Sequence, residues 1–289
     1  MNYTQLPGRL AGIDAGGSAT RVIVLAQGQL RALPAAPGMN ALLTPDVSDR
    51  LLELITAASC DAAGVGLPGV RTAGTGPELS RTLTERAGLP VRVTDDGVTS
   101  VLGAFGGEPG IVVHAGTGSA ARGWDGTRWA QAGGRGYLLG DEGSAYWLGR
   151  AALNAALRAE DGNGGSPALR DAVTEASGGS LPALTKKIYD HPAERSFVTD
   201  LAPVLTSLAA SGDPVALSLC QEAASELAAL ASALRSRLGS PLPVCGTGGV
   251  LSEPVIWDRF AGLTGASRPV SPPEVGAALL AAGVGAGAL

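Results

Sequence analysis

The chain has 289 residues, of which 26 are acidic and 21 basic, giving a net charge of −5. At roughly 150 residues per domain, this length predicts about two domains. Without a Lys/Arg block, and without an apolar stretch of the ~20 residues that cross a bilayer, the composition predicts neither a nucleic-acid partner nor a membrane partner. The N-terminal segment lacks the pattern of a secretory signal, so we expect a cytoplasmic protein.

Cysteine and histidine are too sparse for several kinds of chemistry. The three cysteines, Cys60, Cys220 and Cys245, are far apart and lack CxxC spacing, which favours buried thiols over a disulfide framework or a zinc site. The two histidines, His114 and His191, are distant from each other, which gives a His-based nucleophilic triad little support. Carboxylates are therefore the candidates for catalysis.

The first half of the chain alternates between strands and helices. Three short apolar runs separated by turn residues predict an antiparallel meander: 9–14, 20–26 and 29–35. A helix follows, with Thr44 as its N-cap and Pro45 as its first residue. The next runs predict a strand, a helix, a strand and a helix: 64–67, 77–87, 91–94 and 97–105. This half has the order βββαβαβα.

The meander returns in the second half. Strands are predicted at 111–116 and, joined at Asp125-Gly126, within 119–131. The later predictions are helices at 143–158 and 214–238, a strand at 243–246, and a last helix opened by a capping box at 271–274. Residues 162–180, rich in Gly, Ser and Asn, are expected to form a mobile surface excursion.

The two βββα beginnings predict an α/β protein with duplicated halves. We expect a first lobe of 1–108, to which the C-terminal helix, 272–289, could return, and a second lobe of 109–271.

Three glycine-rich loops follow predicted strands: DAGGSATR at 14–21, AGTGSA at 115–120 and GTGGV at 246–250. Glycine lets backbone N–H groups approach phosphate oxygens closely, and the hydroxyls of Ser18 and Thr117 would add donors. A single glycine-rich turn is more often only a tight hairpin, but three such turns, each following a predicted strand, favour polyphosphate binding. The first loop is neither a Walker motif nor a Rossmann fingerprint, since it leads into a strand and lacks GxxxxGK[ST].

Five carboxylates occupy the ends or starts of predicted elements. Asp14 ends the first strand, where it could hold the water shell of Mg²⁺ or simply cap a turn. Asp95 and Asp96 end the 91–94 strand, a position that suits a catalytic base but also an N-cap. The same ambiguity applies to Asp141 and Glu142.

The motifs together resemble a known pattern. DAGGSATR, AGTGS, GGRGYLLGDEGSAYWLG and GTGGV occur in the order found in the actin-like ATPase superfamily, specifically the BadF/BadG/BcrA/BcrD type that includes N-acetylglucosamine kinase. The resemblance spans nearly the whole chain. It implies two RNase H-like lobes around a central cleft, with the nucleotide on one side and an acceptor at the bottom. It implies ATP and Mg²⁺ as cofactors and a homodimer.

The resemblance also implies an activity and its residues. The protein would be an ATP-dependent amino-sugar kinase that phosphorylates the 6-OH of N-acetylglucosamine or glucosamine, with Asp96 as general base. Asp14 would hold Mg²⁺ through water, and Asp95 would tune its neighbour. The implied nucleotide ligands are Gly16, Gly17, Ser18, Thr20, Gly116, Thr117, Gly118, Gly248 and Gly249. The implied acceptor ligands are Asn40, Asp96, Ser119, Gly134, Arg135, Gly136 and Asp141.

Two departures from the pattern leave the acceptor open. Ala120 stands where related eukaryotic enzymes have Asn, and Arg135 where the signature usually has Trp. An Arg could pair with an acidic group of the ligand or point to solvent.

Two other functions remain as alternatives. One is an ATPase activator of an acyl-CoA dehydratase or reductase, which needs cysteine thiolates for an iron–sulfur cluster. The other is a non-catalytic sugar-binding protein, which the presence of both Asp14 and Asp96 disfavours.

Overall fold

The computed structural model describes residues 3–17 and 19–288. The strands are β1 Arg9–Ala15, β2 Ala19–Ala26, β3 Gln29–Ala32, β4 Ala36–Pro37, β5 Ala62–Gly66, β6 Val91–Thr94, β7 Gly110–Ala115, β8 Ser119–Trp124, β9 Trp129–Gly133 and β10 Val244–Thr247. The helices are α1 Val47–Ala58, α2 Val70–Ala73, α3 Gly76–Ala87, α4 Asp96–Ala104, α5 Ala145–Glu160, α6 Pro167–Ala176, α7 Leu181–Asp190, α8 Ser196–Thr199, α9 Ala202–Ala210, α10 Pro214–Leu238, α11 Pro254–Thr264 and α12 Pro273–Ala281.

The first sheet has the strand order β3-β2-β1-β5-β6, with β4 paired to β2. β1 is antiparallel to β2 but parallel to β5, and β5 is parallel to β6. In this register Asp14 lies beside Gly66, and Gly66 beside Thr94. Because these strands are parallel, the polar residues at and beyond their carboxyl ends meet at one edge of the sheet.

The second sheet has the order β10-β7-β8-β9. β7 is antiparallel to β8 and parallel to β10, and β9 completes the meander. Each sheet thus begins with a three-strand meander, and α1 or α5 is the first helix after it. The predicted α/β class and both βββα beginnings are confirmed.

Helices α4 and α12 lie between the two sheets. α12 packs on β1 and β5 of the first sheet and along α4, while Val98, Val101 and Leu102 of α4 share an apolar cluster with strands of the second sheet. The approach of α12 is backbone to backbone, because a Cβ on Gly276 would lie 1.9 Å from the carbonyl oxygen of Thr99. Glycine is required at this crossing.

Two predicted helix starts are wrong. α1 begins at Val47 with Asp46 as N-cap, because the Thr44 hydroxyl accepts a hydrogen bond from the backbone N–H of Asn40 (3.0 Å) and closes a turn before the helix. The capping box at 271–274 does not form either. Pro272 is the N-cap of α12 and gives no side-chain bond, while Glu274 is buried against the first sheet.

The segment predicted to be a mobile excursion is largely helical. α6 buries Leu169 and Val173 completely, and its N-cap Ser166 accepts from the N–H of Leu169 and donates to Asp213 (2.6 Å). The Gly- and Ser-rich residues form the turns on either side of a packed amphipathic helix. The prediction used composition alone, which does not show the apolar face of that helix. The excursion prediction was therefore wrong.

The predicted helix 214–238 is confirmed at both ends. Asp213 caps α10 by accepting from the N–H groups of Val215 and Ala216 (3.1 and 2.8 Å), and Gly239 ends it at φ 69°. Within the described residues, none of the helices combines the length and the apolar character needed to cross a bilayer.

Candidate active site

The first glycine loop turns tightly between β1 and β2. The N–H of Gly16 donates to Ala19 O (2.9 Å), and a Cβ on Gly38 would lie only 2.3 Å from Gly17 O, so a second backbone segment presses on the loop. Thr20 is fully buried and its hydroxyl donates to Pro37 O (3.0 Å). Thr20 therefore supports the loop and does not present a donor to a ligand. Ser18 lies outside the described residues.

The second loop joins β7 and β8. The N–H of Gly116 donates to Gly118 O (2.9 Å), and Thr117 is exposed at the tip. The first turn of α5 holds this loop in place, because the N–H groups of Ala145 and Tyr146 donate to Gly116 O and Thr117 O (2.9 and 3.3 Å). The loop hydroxyl is thus presented to solvent on a fixed backbone.

The second and third loops meet in one cavity of about 340 Å³. Gly248, at φ 95°, brings the third loop against β7, where a Cβ would lie 2.3 Å from Ala115 O. Gly249 lines the cavity together with Gly116 and Thr117. The structure therefore brings together two of the three predicted nucleotide-binding loops, and the first loop lies on the other sheet.

Sequence reasoning missed the remaining wall of this cavity. It is formed by α8, α9 and the start of α11, through Thr199, Ala202, Pro203, Thr206 and Glu253. Thr199, the first of them, lies 81 positions after Gly118 of the second loop (199 − 118), and Glu253 lies four positions after Gly249 of the third (253 − 249). No motif marks these residues. Only the packing of α9 beside α5 and α10 indicates them.

Asp95 and Asp96 have different environments although they are adjacent. Asp95 is the N-cap of α4, accepts from the N–H of Val98 (3.3 Å) and forms an ion pair with Arg122 (3.1 Å). Asp96 is the first residue of the helix and its side chain stays exposed. The structure thus gives the capping role to Asp95 and leaves Asp96 available to a ligand.

Three carboxylates interact at the edge of the first sheet. Asp14 is 8% exposed, and burial, followed by the charges of Asp96 and Glu274, raises its pKa to about 7. The Asp96 side chain is accessible to solvent, but the protein packed around it partly desolvates its carboxylate, and this, followed by the charge of Asp95, raises its pKa as well. Glu274 is buried, and its Oε2 has no hydrogen-bond partner among the described residues. The site carries an excess of negative charge in little water.

This charge excess fits a divalent cation. Mg²⁺ prefers oxygen ligands and keeps part of its water shell, and a cation would relieve the repulsion around Asp14. Among the described residues, no three His, Cys, Asp or Glu side chains are grouped closely enough to hold a metal directly. Asp14 is the residue at this edge that could hold such an ion, with water or other oxygen ligands completing its shell.

The predicted acceptor residues lie on both sheets. On the first, Asn40 uses its side-chain oxygen to accept from Leu42 N–H (2.9 Å), which leaves its amide nitrogen without a partner among the described residues. On the second, Gly134 (φ 66°) and Gly136 (φ 84°) form a turn, and the Arg135 side chain between them is exposed.

Asp141 joins the acceptor turn to the second phosphate loop. It is 6% exposed and adopts φ 61°, and a Cβ on Gly118 would lie 2.6 Å from its Oδ2. Burial raises its pKa, while backbone N–H groups of Ser119 and Gly136 oppose this. Ser119 is also buried, and its hydroxyl donates to Glu142 O (2.7 Å). The Ser119 side chain is therefore occupied by the fold.

A sequence comparison decides the family. The profile of the BadF/BadG/BcrA/BcrD ATPase family matches residues 11–281, nearly the whole chain. The chain belongs to this family. An N-acetylmuramic acid/N-acetylglucosamine kinase of Clostridium acetobutylicum is 29% identical over 233 residues, which are 75% of this chain and 76% of the relative.

Solved structures agree with this assignment. A proposed N-acetylglucosamine kinase of Chromobacterium violaceum is 29% identical with a TM-score of 0.70, covering 94% of this chain and 98% of the other. A ROK family glucokinase of Streptomyces griseus, at 19% identity and a TM-score of 0.54 over 95% and 99% of the two chains, shares the fold alone. The predicted fold of two actin-like ATPase lobes around a cleft is confirmed.

Proposed function

We propose that this family member is a sugar kinase that transfers the γ-phosphate of ATP to the 6-OH of an N-acylated or free amino sugar, N-acetylglucosamine or glucosamine, with Asp96 as general base. The observation that carries the proposal is the difference in environment between two adjacent carboxylates, Asp95 and Asp96. Asp95 is fixed by the helix and by Arg122, whereas Asp96 is free, exposed and less acidic than usual. The two kinase relatives support the same reaction class.

Asp96 would act on the acceptor hydroxyl. A carboxylate with a raised pKa is a stronger base than an ordinary aspartate, which helps it accept the hydroxyl proton as the oxygen attacks the γ-phosphorus. In this reaction most of the catalysis comes from positioning and charge stabilisation. The start of a helix at the end of β6 is a fixed position for such a base.

The phosphates would lie between the two loops that face each other across the cleft. The backbone N–H of Gly17 and the Ser18 hydroxyl would meet them from the first sheet, and Thr117 with the N–H of Gly118 from the second, since the N–H groups of Gly16 and Gly116 are used within their own loops. Mg²⁺, when bound through Asp14 and water, would neutralise part of the phosphate charge. The adenosine would enter the cavity that Gly249 lines, beside α9.

The sugar would lie near the base, between Asn40 on one side and Asp141 with the 134–136 turn on the other. The free amide nitrogen of Asn40 and the buried carboxyl of Asp141 are groups that a sugar hydroxyl can bond. We further propose that 1–108 with the returning helix 272–289, and 109–271, are lobes that close on the substrates and exclude water. A homodimer and a cytoplasmic location remain predictions.

An iron–sulfur ATPase is the less supported alternative. Cys220 and Cys245 are fully buried, and burial raises their pKa values to about 12 and about 11, so neither is a ready thiolate. Cys60 is half-buried and burial raises its pKa too. A cluster shared between subunits needs exposed thiolates.

The test is ADP release with ATP and Mg²⁺ against N-acetylglucosamine, glucosamine, N-acetylmannosamine, glucose and N-acetylmuramic acid. We expect sugar-dependent release with an amino sugar, and a loss of about 10²–10⁴-fold in kcat for Asp96→Asn. Asp258→Asn, an exposed aspartate on α11, is the matched control and should stay within about twofold of wild type. ADP release that does not depend on any sugar, or that is unchanged in Asp96→Asn, would contradict the kinase proposal.

A further inference from the structure

A second cavity, of about 570 Å³, lies beside the start of α4 and shares only Asp95 and Arg122 with the site described above. Its walls come from both sheets: α2, α3 and β6 on one side, and β8 and β9 on the other. Polar and aromatic groups lining it are Arg71, Ser80, Arg92, Asp95, Arg122 and Trp129. In an acidic protein, three arginines around one cavity are an unusual concentration of positive charge.

The charges of this cavity do not balance. Asp95 is the only acidic residue among its lining residues and it pairs with Arg122, so two of the three arginines lack a carboxylate there. Arg92 donates to the carbonyl oxygen of Ala281 (2.6 Å), which leaves its charge unneutralised. Arg71 has no hydrogen bond or ion pair with any described residue. The cavity therefore offers a net positive charge to a ligand.

Arg122 is held as a preorganised donor. Its guanidinium lies over the Trp129 ring, 5.6 Å from the centroid, and one Nη binds Asp95. Its Nε is buried and has no partner among the described residues, which is costly unless something accepts its hydrogen bond. Arg71 is close enough to Arg122 for their charges to repel. An anion between the two would satisfy both.

The cavity adjoins the proposed sugar position at three points. Asn40 touches Gly69, the N-cap of α2, which lies two residues before Arg71. Asp96 follows Asp95 directly. Ala120 lies two residues before Arg122 on β8.

Residues two apart on a strand share a face, so Ala120 and Arg122 belong to the same surface. A Cβ on Gly134, in the predicted acceptor turn, would lie 3.2 Å from the Ala120 Cβ. The acceptor turn therefore packs on Ala120, on the face of β8 that also carries Arg122.

We propose that this cavity is a subsite for a carboxylate substituent on the acceptor sugar, read by Arg71 and Arg122, so that the preferred acceptor is an acidic N-acylated hexosamine. The inference rests on the proposed kinase function for the position of the sugar. A guanidinium fork matches a carboxylate with two parallel hydrogen bonds, and Arg keeps its charge at any physiological pH. A neutral sugar would leave the Arg71 and Arg122 donors unpaired.

The experiment measures binding and turnover separately. Isothermal titration calorimetry with N-acetylmuramic acid, N-acetylglucosamine and inorganic phosphate is done on wild type, Arg71→Gln, Arg71→Lys and Arg81→Gln. Arg81 is an exposed arginine of α3 that does not line the cavity, so its loss changes the net charge equally. We expect Arg71→Gln to weaken N-acetylmuramic acid binding about tenfold, Arg71→Lys to recover part of it, and Arg81→Gln to have no effect.

The same variants are then assayed for kcat/KM. The ratio of N-acetylmuramic acid to N-acetylglucosamine should fall about tenfold in Arg71→Gln, and less at high salt. Equal N-acetylmuramic acid binding in wild type and Arg71→Gln overturns the subsite. Phosphate binding that depends on Arg71, without any such dependence for the sugar, overturns it in favour of a free-anion site. Arg71-dependent sugar binding without any turnover supports the subsite and contradicts the kinase.

Discussion

At the scale of single residues, the site depends on what neighbouring carboxylates do. Asp95 and Asp96 are adjacent, yet the helix start uses one as a cap and leaves the other free. The sequence could place both at the end of β6 but could not divide the roles, because the ion pair with Arg122 crosses from the other sheet. The sequence pattern predicts that Glu274 belongs to a capping box. Its burial beside β1 could not be predicted, because it depends on how α12 packs on the first sheet.

Asp14 gives a prediction about pH. Burial raises its folded pKa to about 7 from 3.8, so the proton is held in the folded state. Protonated Asp14 therefore stabilises the folded state. This contribution to the free energy of unfolding is complete below the pKa of Asp14 in the unfolded chain, and it is lost as the pH rises through about 7. In Asp14→Asn this loss is absent. Without Mg²⁺, the free energy of unfolding of the variant relative to wild type should therefore rise by about 2–3 kcal/mol from pH 5 to pH 8.

Urea denaturation at several pH values measures this difference. Asp258→Asn, at an exposed site, should show no such trend. Added Mg²⁺ and nucleotide should reduce the advantage of Asp14→Asn at pH 8, because they bind the ionised wild-type site. A stability difference that stays constant across this pH range would mean that Asp14 ionises normally.

At the scale of elements, the positions of α4 and α12 decide the shape of the site. α12 lies close to the first sheet and to α4 only because glycines remove side chains from both contacts: a Cβ on Gly12 of β1 would lie 1.9 Å from Glu274 O, and a Cβ on Gly276 would lie 1.9 Å from Thr99 O of α4. This contact fixes α4, whose first residue is Asp96. The last helix of the chain therefore positions the proposed base, although it contributes no ligand of its own in the proposal.

Gly276→Ala tests this packing. The added methyl group must displace the backbone of α4, so we expect a loss of at least about 3 kcal/mol, or failure to fold. Gly262→Ala is the matched control on helix α11, where a Cβ would meet nothing within 4 Å. Since alanine is the better helix former, Gly262→Ala should be neutral or stabilising by up to about 1 kcal/mol. Thermal unfolding compares the two, and equal melting temperatures would contradict the account.

Elements with strong local signals could be predicted from the sequence. The two meanders follow from apolar runs cut by turn residues, and α10 from Asp213 and Gly239 at its ends. The helices between 162 and 210 were missed because glycine and serine dominate the sequence around α6, although Ser166 and Ser180, each followed within two residues by a proline, are helix-start signals that could have revealed α6 and α7. The wall of the nucleotide cavity belongs to these helices, so it was missed with them.

At the scale of the whole molecule, both cavities combine residues from distant parts of the chain. One joins the second and third glycine loops to α9, and the other joins Arg71 to Arg122 across the two sheets. The motifs predicted glycine-rich loops and carboxylates at the ends of strands, and the structure has both. Phosphate binding by these loops stays a prediction. The motifs could not predict the arginine cavity, whose members come from different elements and form no sequence pattern.

The most direct test of the central claim is where the γ-phosphate goes. With ATP, Mg²⁺ and an amino sugar, phosphorus NMR should show one sugar 6-phosphate formed for each ADP, with little inorganic phosphate. Asp96→Asn should lose the sugar phosphate while ATP still binds. Inorganic phosphate formed in equal amount to ADP, with or without sugar, would contradict the kinase and identify the protein as an ATPase.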